Sequence, residues 1–293
     1  MTSSWRSALV LLLCAPFLTC TAKIIDLSHV QKPETFHFAG VKPFSRTDVF
    51  AGIGTRGIYY DVGALNSPEH SGTHLDVPSH FVKGGATLDQ VPIEWTIADG
   101  VTIDCRKEAE NNRDYVVDIE KLLAWEKEHG RIPQGAAVLF QFGWSSRFGN
   151  ITDYVGSETL DDLNSFRVPA LSKAAGAWLF RERDIQILGV DSLSPDVLLD
   201  AREMPNHVLY LSNNRIIVEN LKIPDDMPAR HFRFHATPPK YLGASGTQVR
   251  AFAVVTPGVN VTMQIHGTNN SVRGMSLLLS VPLSLLLSLC YVL

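Results

Sequence analysis

Eleven consecutive residues, His70-Ser-Gly-Thr-His-Leu-Asp-Val-Pro-Ser-His80, carry three imidazoles and one carboxylate. A helix would put His70 and His74 on one face, but Pro78 cannot continue it without removing a backbone donor, and Gly72 and the β-branched Thr73 weaken it further. An extended segment does better. Residues two or four apart in a strand project to one side, so His70, His74, Asp76 and His80 share a face while Leu75, Val77 and Ser79 take the other. Gly72 falls on the imidazole side, where a missing side chain leaves room for an ion or substrate, and Pro78 confines the segment to an edge strand or a strand end. Imidazole and carboxylate donors crowded in this way suit zinc, manganese or iron.

The rest of the chain reads as one mixed α/β domain. Ile24-Ile-Asp-Leu27 is a first strand, followed by a Pro-containing loop with Phe36, His37 and Phe38, and Gly57–Gly63 is a strand leading into the cluster. Asp118 caps a helix through Ile119, Leu122, Leu123 and Trp125 that Gly130 and Pro133 stop. Ala136–Phe142 and Ile185–Val190 are buried strands, with a helix over Pro169–Arg183 between them, so the middle of the chain is layered α/β. His231–His235 and Thr247–Val255 have no helix between them and form an antiparallel portion.

The two ends read differently from the middle. Residues 1–22 have the parts of a secretory signal: Arg6, an apolar run from Ala8 to Leu18, and small residues ending at Ala22, after which cleavage is expected. Met275–Leu293 is an uncharged apolar run after the polar Gly267–Gly274, the order of a GPI-attachment signal, with a membrane-spanning tail as the alternative. The domain itself then occupies residues 23–266, and the segment 267–293 ties it to a membrane at the cell surface. Asn150, Asn260 and Asn269 each begin a sequon and are expected glycosylation sites on that secretory route. Of the four cysteines only Cys105 survives both cleavages, so no internal disulfide forms and the fold is held by its core. Roughly 245 residues suffice for one such core. A formal charge of −4 leaves no basic surplus for nucleic acid.

The pattern His-x-Gly-Thr-His-x-Asp-x-Pro-x-His resembles the signature of the cyclase family, which includes bacterial-type kynurenine formamidases and isatin hydrolases. Gly189-Val-Asp-Ser-Leu-Ser-Pro-Asp196, His207 with Ile216-Ile-Val-Glu-Asn-Leu221, and Tyr241–Arg250 resemble the family's later segments, so the likeness runs from Ile24 to about Val255. It implies a swivelling β/β/α-like fold with a mixed sheet, a homo-oligomer, and two divalent ions, Zn²⁺ or Mn²⁺, per subunit. By that resemblance His70, His74 and Asp76 bind one ion, Asp76 bridges to a second held by His207, Glu219 touches both, and His80 is the general acid/base. Asp191 and Asp196 match as well, and a structural hydrogen-bonding role is expected of both.

The activity implied is metal-assisted hydrolysis of a C–N bond in a small amide or formamide. The foremost expectation is an arylformamidase acting on N-formyl-kynurenine. An isatin-hydrolase-like opening of a cyclic amide is the alternative within enzymes, and a cell-surface glycoprotein that binds without turnover the alternative outside them. Phe36 and Phe38, on their loop, and Trp144, ending the apolar run Phe140–Trp144, are the expected walls of a substrate pocket.

Overall fold

The computed structural model describes residues 22–200 and 203–255, with the backbone of two further strands, Val259–Met263 and Leu277–Val281, that pair antiparallel with each other. The expected signal segment, the membrane-attachment segment, Asn269 and the side chain of Asn260 lie outside the described residues. Ile24–Val255 form one compact unit. Its strands are β1 (Lys23–Asp26), β2 (Ser45–Ile53), β3 (Tyr59–Asn66), β4 (His74–Asp76), β5 (Ile97–Asp104), β6 (Val116–Val117), β7 (Ala137–Gln141), β8 (Ala170–Leu171), β9 (Ile187–Val190), β10 (Ile216–Glu219), β11 (Phe232–His235), β12 (Gly246–Gln248) and β13 (Phe252–Val255). The α-helices are α1 (Arg106–Ala109), α2 (Ile119–His129), α3 (Ile151–Val155), α4 (Lys173–Trp178) and α5 (Pro205–Ser212). Among the described residues no helix is long and apolar enough to cross a membrane.

Nine strands form the main sheet in the order β1-β13-β11-β5-β7-β9-β10-β4-β12. Its centre, β5, β7, β9 and β10, is parallel, and antiparallel strands flank it on both sides. The central strands are apolar on both faces because both faces are covered. Val138, Phe140, Leu188, Val190 and Ile217 enter one apolar layer, while their neighbours Ala137, Leu139, Ile187, Ile216 and Val218 enter the other. This mixed, two-layered sheet is the α/β class expected.

The C-terminal run expected as one strand over Thr247–Val255 is two strands. β12 lies at one edge of the sheet and β13 next to the other, and only residues 249–251 separate them. That link spans at most about 14 Å, so the sheet must curl until its edges approach. The backbone shows the meeting: Val249 N–H donates to Thr73 O at 3.0 Å and Leu27 N–H to Ala251 O at 2.9 Å.

Helix α2 begins and ends where expected. The Asp118 side chain accepts from Lys121 N–H at 3.0 Å, Gly130 follows with φ 86°, and Trp125 Nε1–H donates to Thr102 O at 2.9 Å, docking the helix on β5. The helix expected over Pro169–Arg183 starts later. Ala170 and Leu171 pair with Val116 and Val117, and Ser172 caps α4 by accepting from Ala175 N–H at 3.0 Å. A π-helical turn, Leu179–Arg183, then completes the segment.

The eleven-residue cluster is also not one strand. Only His74–Asp76 is extended; Gly72 has φ 63°, and Pro78–His80 is a 3₁₀ turn. Long-range hydrogen bonds impose this shape: Thr73 Oγ1–H donates to Asn220 O at 2.6 Å, Asn220 Nδ2–H to Gly72 O at 2.9 Å, and Val77 N–H to Ser245 O at 3.0 Å. A Cβ on Gly72 would collide with the Gln31 side chain. The absent side chain therefore admits Gln31, not an ion.

β2 and β3 form a separate hairpin with a bulge between Asp48 and Phe50. Register puts Phe50, Tyr60 and Val62 on one face and Ile53, Tyr59 and Leu65 on the other, and all six are exposed.

Candidate metal centre

β4 is held between β10 and β12, and its register sets the site. His74 and Asp76, two apart, share a face, while Leu75 between them is buried in the core. Glu219 stands directly opposite His74 across the β10–β4 ladder, so its side chain joins that face. His207 comes from the first turn of α5. Asp196 fixes that turn, accepting Asn206 N–H at 2.7 Å, His207 N–H at 2.9 Å and His207 Nδ1–H at 2.7 Å. Asp191 accepts the N–H groups of Phe142, Gly143 and Trp144 at 2.8–3.1 Å, which ties the end of β7 to the end of β9.

Six residues from three stretches of the chain, 70–80, α5 and β10, thus converge. His74 Nε2 lies 3.4 Å from both Asp76 Oδ1 and Glu219 Oε2, and His207 Nε2 lies 3.5 Å from Asp76 Oδ2 and 3.2 Å from Glu219 Oε1. His70 folds back so that Nδ1 is 2.7 Å from Asp76 Oδ1. His80 stacks on His70 with ring centroids 3.7 Å apart, and neither of its ring nitrogens has a hydrogen-bond partner among the described residues.

These groups fit a divalent cation. His74 Nε2, Asp76 Oδ2 and Glu219 Oε1 are buried yet lack hydrogen-bond partners, a costly arrangement unless something else binds them. Ligands of a tetrahedral zinc, at about 2.0–2.1 Å from the ion, stand about 3.3 Å apart, and the contacts of 3.2–3.5 Å are of that size. His70, Asp76 and His80 form one donor set and His74, Asp76 and Glu219 another, each with its ligand atoms within 4.8 Å of one another. Asp76 belongs to both, and its two oxygens face different histidines.

The electrostatics agree. Burial opposes charge on His74, but Asp76 and Glu219 outweigh it and push that imidazole up to about 9. His207 is likewise driven well above the ordinary range: burial opposes it, and Asp196, Asp76 and Glu219 prevail. Burial raises Glu219, whereas Asp76 is held well below the usual carboxylate range against burial by His70, His207 and His74. His80 is lowered to about 4, chiefly by burial, with Asp76 opposing and the neighbouring histidines adding to the shift.

A cavity of about 220 Å³ lies over the cluster, lined by His70, His74, His80, His207 and Glu219 and walled by Phe38, Phe81, Leu163, Leu193, Leu198 and Met204. Of the three aromatics expected as pocket walls, Phe38 lines this cavity. Phe36 and Trp144 do not. Phe36 is buried behind Phe38, 5.2 Å away edge to face. Trp144 is in the core, its indole N–H donating to Tyr154 O at 2.8 Å and its ring beneath Arg147. Asn150 is exposed, and its Oδ1 caps α3 by accepting Asp153 N–H at 3.2 Å. Leu163, Leu193, Leu198 and Met204 escaped sequence reasoning because isolated aliphatic residues carry no signal of facing a cavity. Phe81, adjoining His80, was the one that proximity could have found.

The Cyclase family model, described as "Putative cyclase", matches residues 25–197. Isatin hydrolase of Roseibium aggregatum is 29% identical over 196 residues, 64% of this chain and 72% of that protein. Kynurenine formamidase of Bacillus anthracis is 25% identical over 238 residues, 79% of this chain and 97% of that protein. The structure of isatin hydrolase A from Ralstonia solanacearum superposes with a TM-score of 0.73 at 29% identity, over 80% of this chain and 92% of that one.

Proposed function

This chain belongs to the Cyclase family, and from that premise we propose that it is a metal-dependent hydrolase of the C–N bond in a small, uncharged N-aryl amide. One observation carries the reading: three buried donor atoms without hydrogen-bond partners stand beside an apolar cavity that His74 and Glu219 line. His70, His74, Asp76, His207 and Glu219 would hold the metal, Zn²⁺ or Mn²⁺, with Asp76 common to both donor sets. Such ions supply Lewis acidity and a means of activating water at neutral pH.

The chain's own residues do the rest. Phe38, Phe81 and Leu193 seat the aryl ring and keep bulk water from the scissile bond. His80, free on both nitrogens and kept neutral by burial, takes a proton from the attacking water and, as the imidazolium so formed, returns it to the leaving nitrogen. Asp196, through His207, and Gly72 O, through His74, keep those two rings aimed at the centre.

An apolar wall around about 220 Å³ suits a compact, neutral bicyclic ring, so a cyclic amide such as isatin is the preferred substrate class, in keeping with the isatin hydrolase relatives. Deformylation of N-formyl-kynurenine is the second reading, favoured by the kynurenine formamidase aligned over nearly its whole length. Purified protein loaded with Zn²⁺ or Mn²⁺ should open isatin faster than it deformylates N-formyl-kynurenine, and a chelator should abolish both. Stoichiometric metal with turnover of neither would sink the reading and favour a binding protein.

The terminal segments put this activity at the cell surface within the same proposal, and a phosphatidylinositol-specific phospholipase should release the protein from intact cells. The proposal also includes a homo-oligomer built on the β2–β3 hairpin. Val49, Phe50, Ile53, Ile58, Tyr59, Tyr60, Val62 and Leu65 are all exposed there. Together they present on the order of 800 Å² of surface, the share one partner gives to a standard interface. A lone two-stranded hairpin is marginal in water, and one that exposes apolar side chains on both faces, around the Arg46–Asp61 ion pair, is suited to being clasped by a second copy.

A further inference from the structure

Three histidines point a nitrogen at the centre of the cluster, and each is held from behind. For His74 the partner is Gly72 O, 2.9 Å from Nδ1, and for His207 it is Asp196 Oδ2, 2.7 Å from Nδ1. A carbonyl and a carboxylate only accept, so both rings carry hydrogen on Nδ1 and turn Nε2 inwards as the nitrogen available to a cation. His70 is mounted the other way round. Its Nδ1 faces the centre beside Asp76, and its Nε2 is 2.9 Å from Ser245 Oγ. A hydroxyl can donate or accept, so Ser245 alone would leave open whether His70 Nε2 carries hydrogen.

Glu69 removes that freedom. Its Oε2 accepts from Ser245 N–H at 2.9 Å and from Ser245 Oγ–H at 2.6 Å. With its single proton committed to the carboxylate, Ser245 Oγ can only accept from the imidazole, which fixes hydrogen on His70 Nε2 and leaves Nδ1, whose partner here is the Asp76 carboxylate, as the ring nitrogen available to a cation. Gly246 supports the geometry: a Cβ there would lie 2.6 Å from His70 Cε1 and 2.6 Å from Leu75 O, so only glycine lets this loop close against the ring.

We propose that Glu69 and Ser245 are positioning residues that set the tautomer of His70 and so make its Nδ1 a ligand atom. The proposal rests on the metal-site reading but adds two residues to it, one of them half exposed and neither in contact with the ion.

Two measurements on the full-length protein test it. Competition of Zn²⁺ against a chromophoric chelator should show about 10–100-fold weaker binding in Ser245→Ala, the usual effect of removing such a partner. Glu69→Gln should lose a comparable amount although it is isosteric, because the Gln amide can donate to Ser245 Oγ and turn the hydroxyl proton towards His70. The double variant should be no weaker than Glu69→Gln alone, since both act through one bond. Affinity unchanged in both single variants would overturn the proposal. Nitrogen-15 NMR of the imidazoles in metal-free wild type gives a readout independent of metal: hydrogen on His70 Nε2 is expected, and a bare Nε2 would overturn the tautomer assignment. A wild type that binds no Zn²⁺ yet keeps hydrogen on Nε2 would refute the ligand role of Nδ1, while the hydrogen-bond chain from Glu69 stands.

Discussion

Individual side chains in and near the centre separate into those that hold it and those that work in it. His80→Ala removes a ring that touches His70 only by stacking, so metal content should stay near wild type while kcat falls about 10²–10⁴-fold, the range for loss of a general acid/base. Metal analysis beside the kinetics checks this, and loss of metal would make His80 a ligand. His29 offers a test away from the centre. Its ring stacks on Phe148 at 3.8 Å, its Nε2 is buried without a partner, and burial, helped by Lys222, lowers its pKa to about 4. The folded state keeps His29 neutral while the unfolded chain protonates it near 6.5, so its contribution is whole above pH 6.5 and drains away towards pH 4. His29→Phe keeps the stack and should flatten that part of a Tm-against-pH curve; an unchanged slope would exclude His29 as its source. At this scale the sequence showed donors well, since His70, His74, Asp76 and His80 declare their chemistry by crowding. It showed walls and supports badly: Phe36 and Trp144 read like lining yet are core, while Glu69 and Ser245 read like ordinary surface polar residues.

Elements were legible where local chemistry decides them. The apolar runs of β7 and β9 and the Asp118 cap with its Gly130 stop are short-range signals. Elements were illegible where distant backbone decides. The start of α4 moved because residues 170–171 are taken by β6, and the cluster broke into turn, strand and turn because Asn220 and Ser245 hold Thr73 and Val77. β12 shows how tightly such placement is constrained. Gly246→Ala should push a methyl group into His70 and the backbone of Leu75, and neither can yield without moving a donor or the neighbouring strand. Loss of metal affinity of at least tenfold is the expected outcome, read by chelator competition. Normal affinity would mean that the β12 backbone shifts without cost.

The molecule as a whole poses the question of what covers its hairpin. Light scattering across a dilution series should return a dimer or higher oligomer, and replacing Ile53 and Tyr59 by Glu should yield a monomer, because each buried carboxylate would face the partner unpaired. A wild-type monomer at all concentrations would remove the second copy as the occupant. No sequence pattern could distinguish this hairpin from a buried one, since apolar alternation is the same whether its partner is the rest of the chain or another molecule. The mixed sheet was legible from helix–strand alternation, whereas the curl that joins its edges follows from a three-residue link and needed the coordinates.

Synthesis runs from the N-terminus, and the three-residue strand β4 is made long before either neighbour. Asp76 pairs with Ile217 on one side and Gly246 on the other, so a growing chain must carry His74 and Asp76 unpaired until the last part of the domain has left the ribosome. Contacts this remote in sequence close slowly. Mis-metallation and aggregation therefore have their widest opening during translation, and a chain interrupted before Gly246 has donors but no cradle. Divalent ion supplied as refolding is completed, after these ends have met, should recover more active protein than ion present from the start.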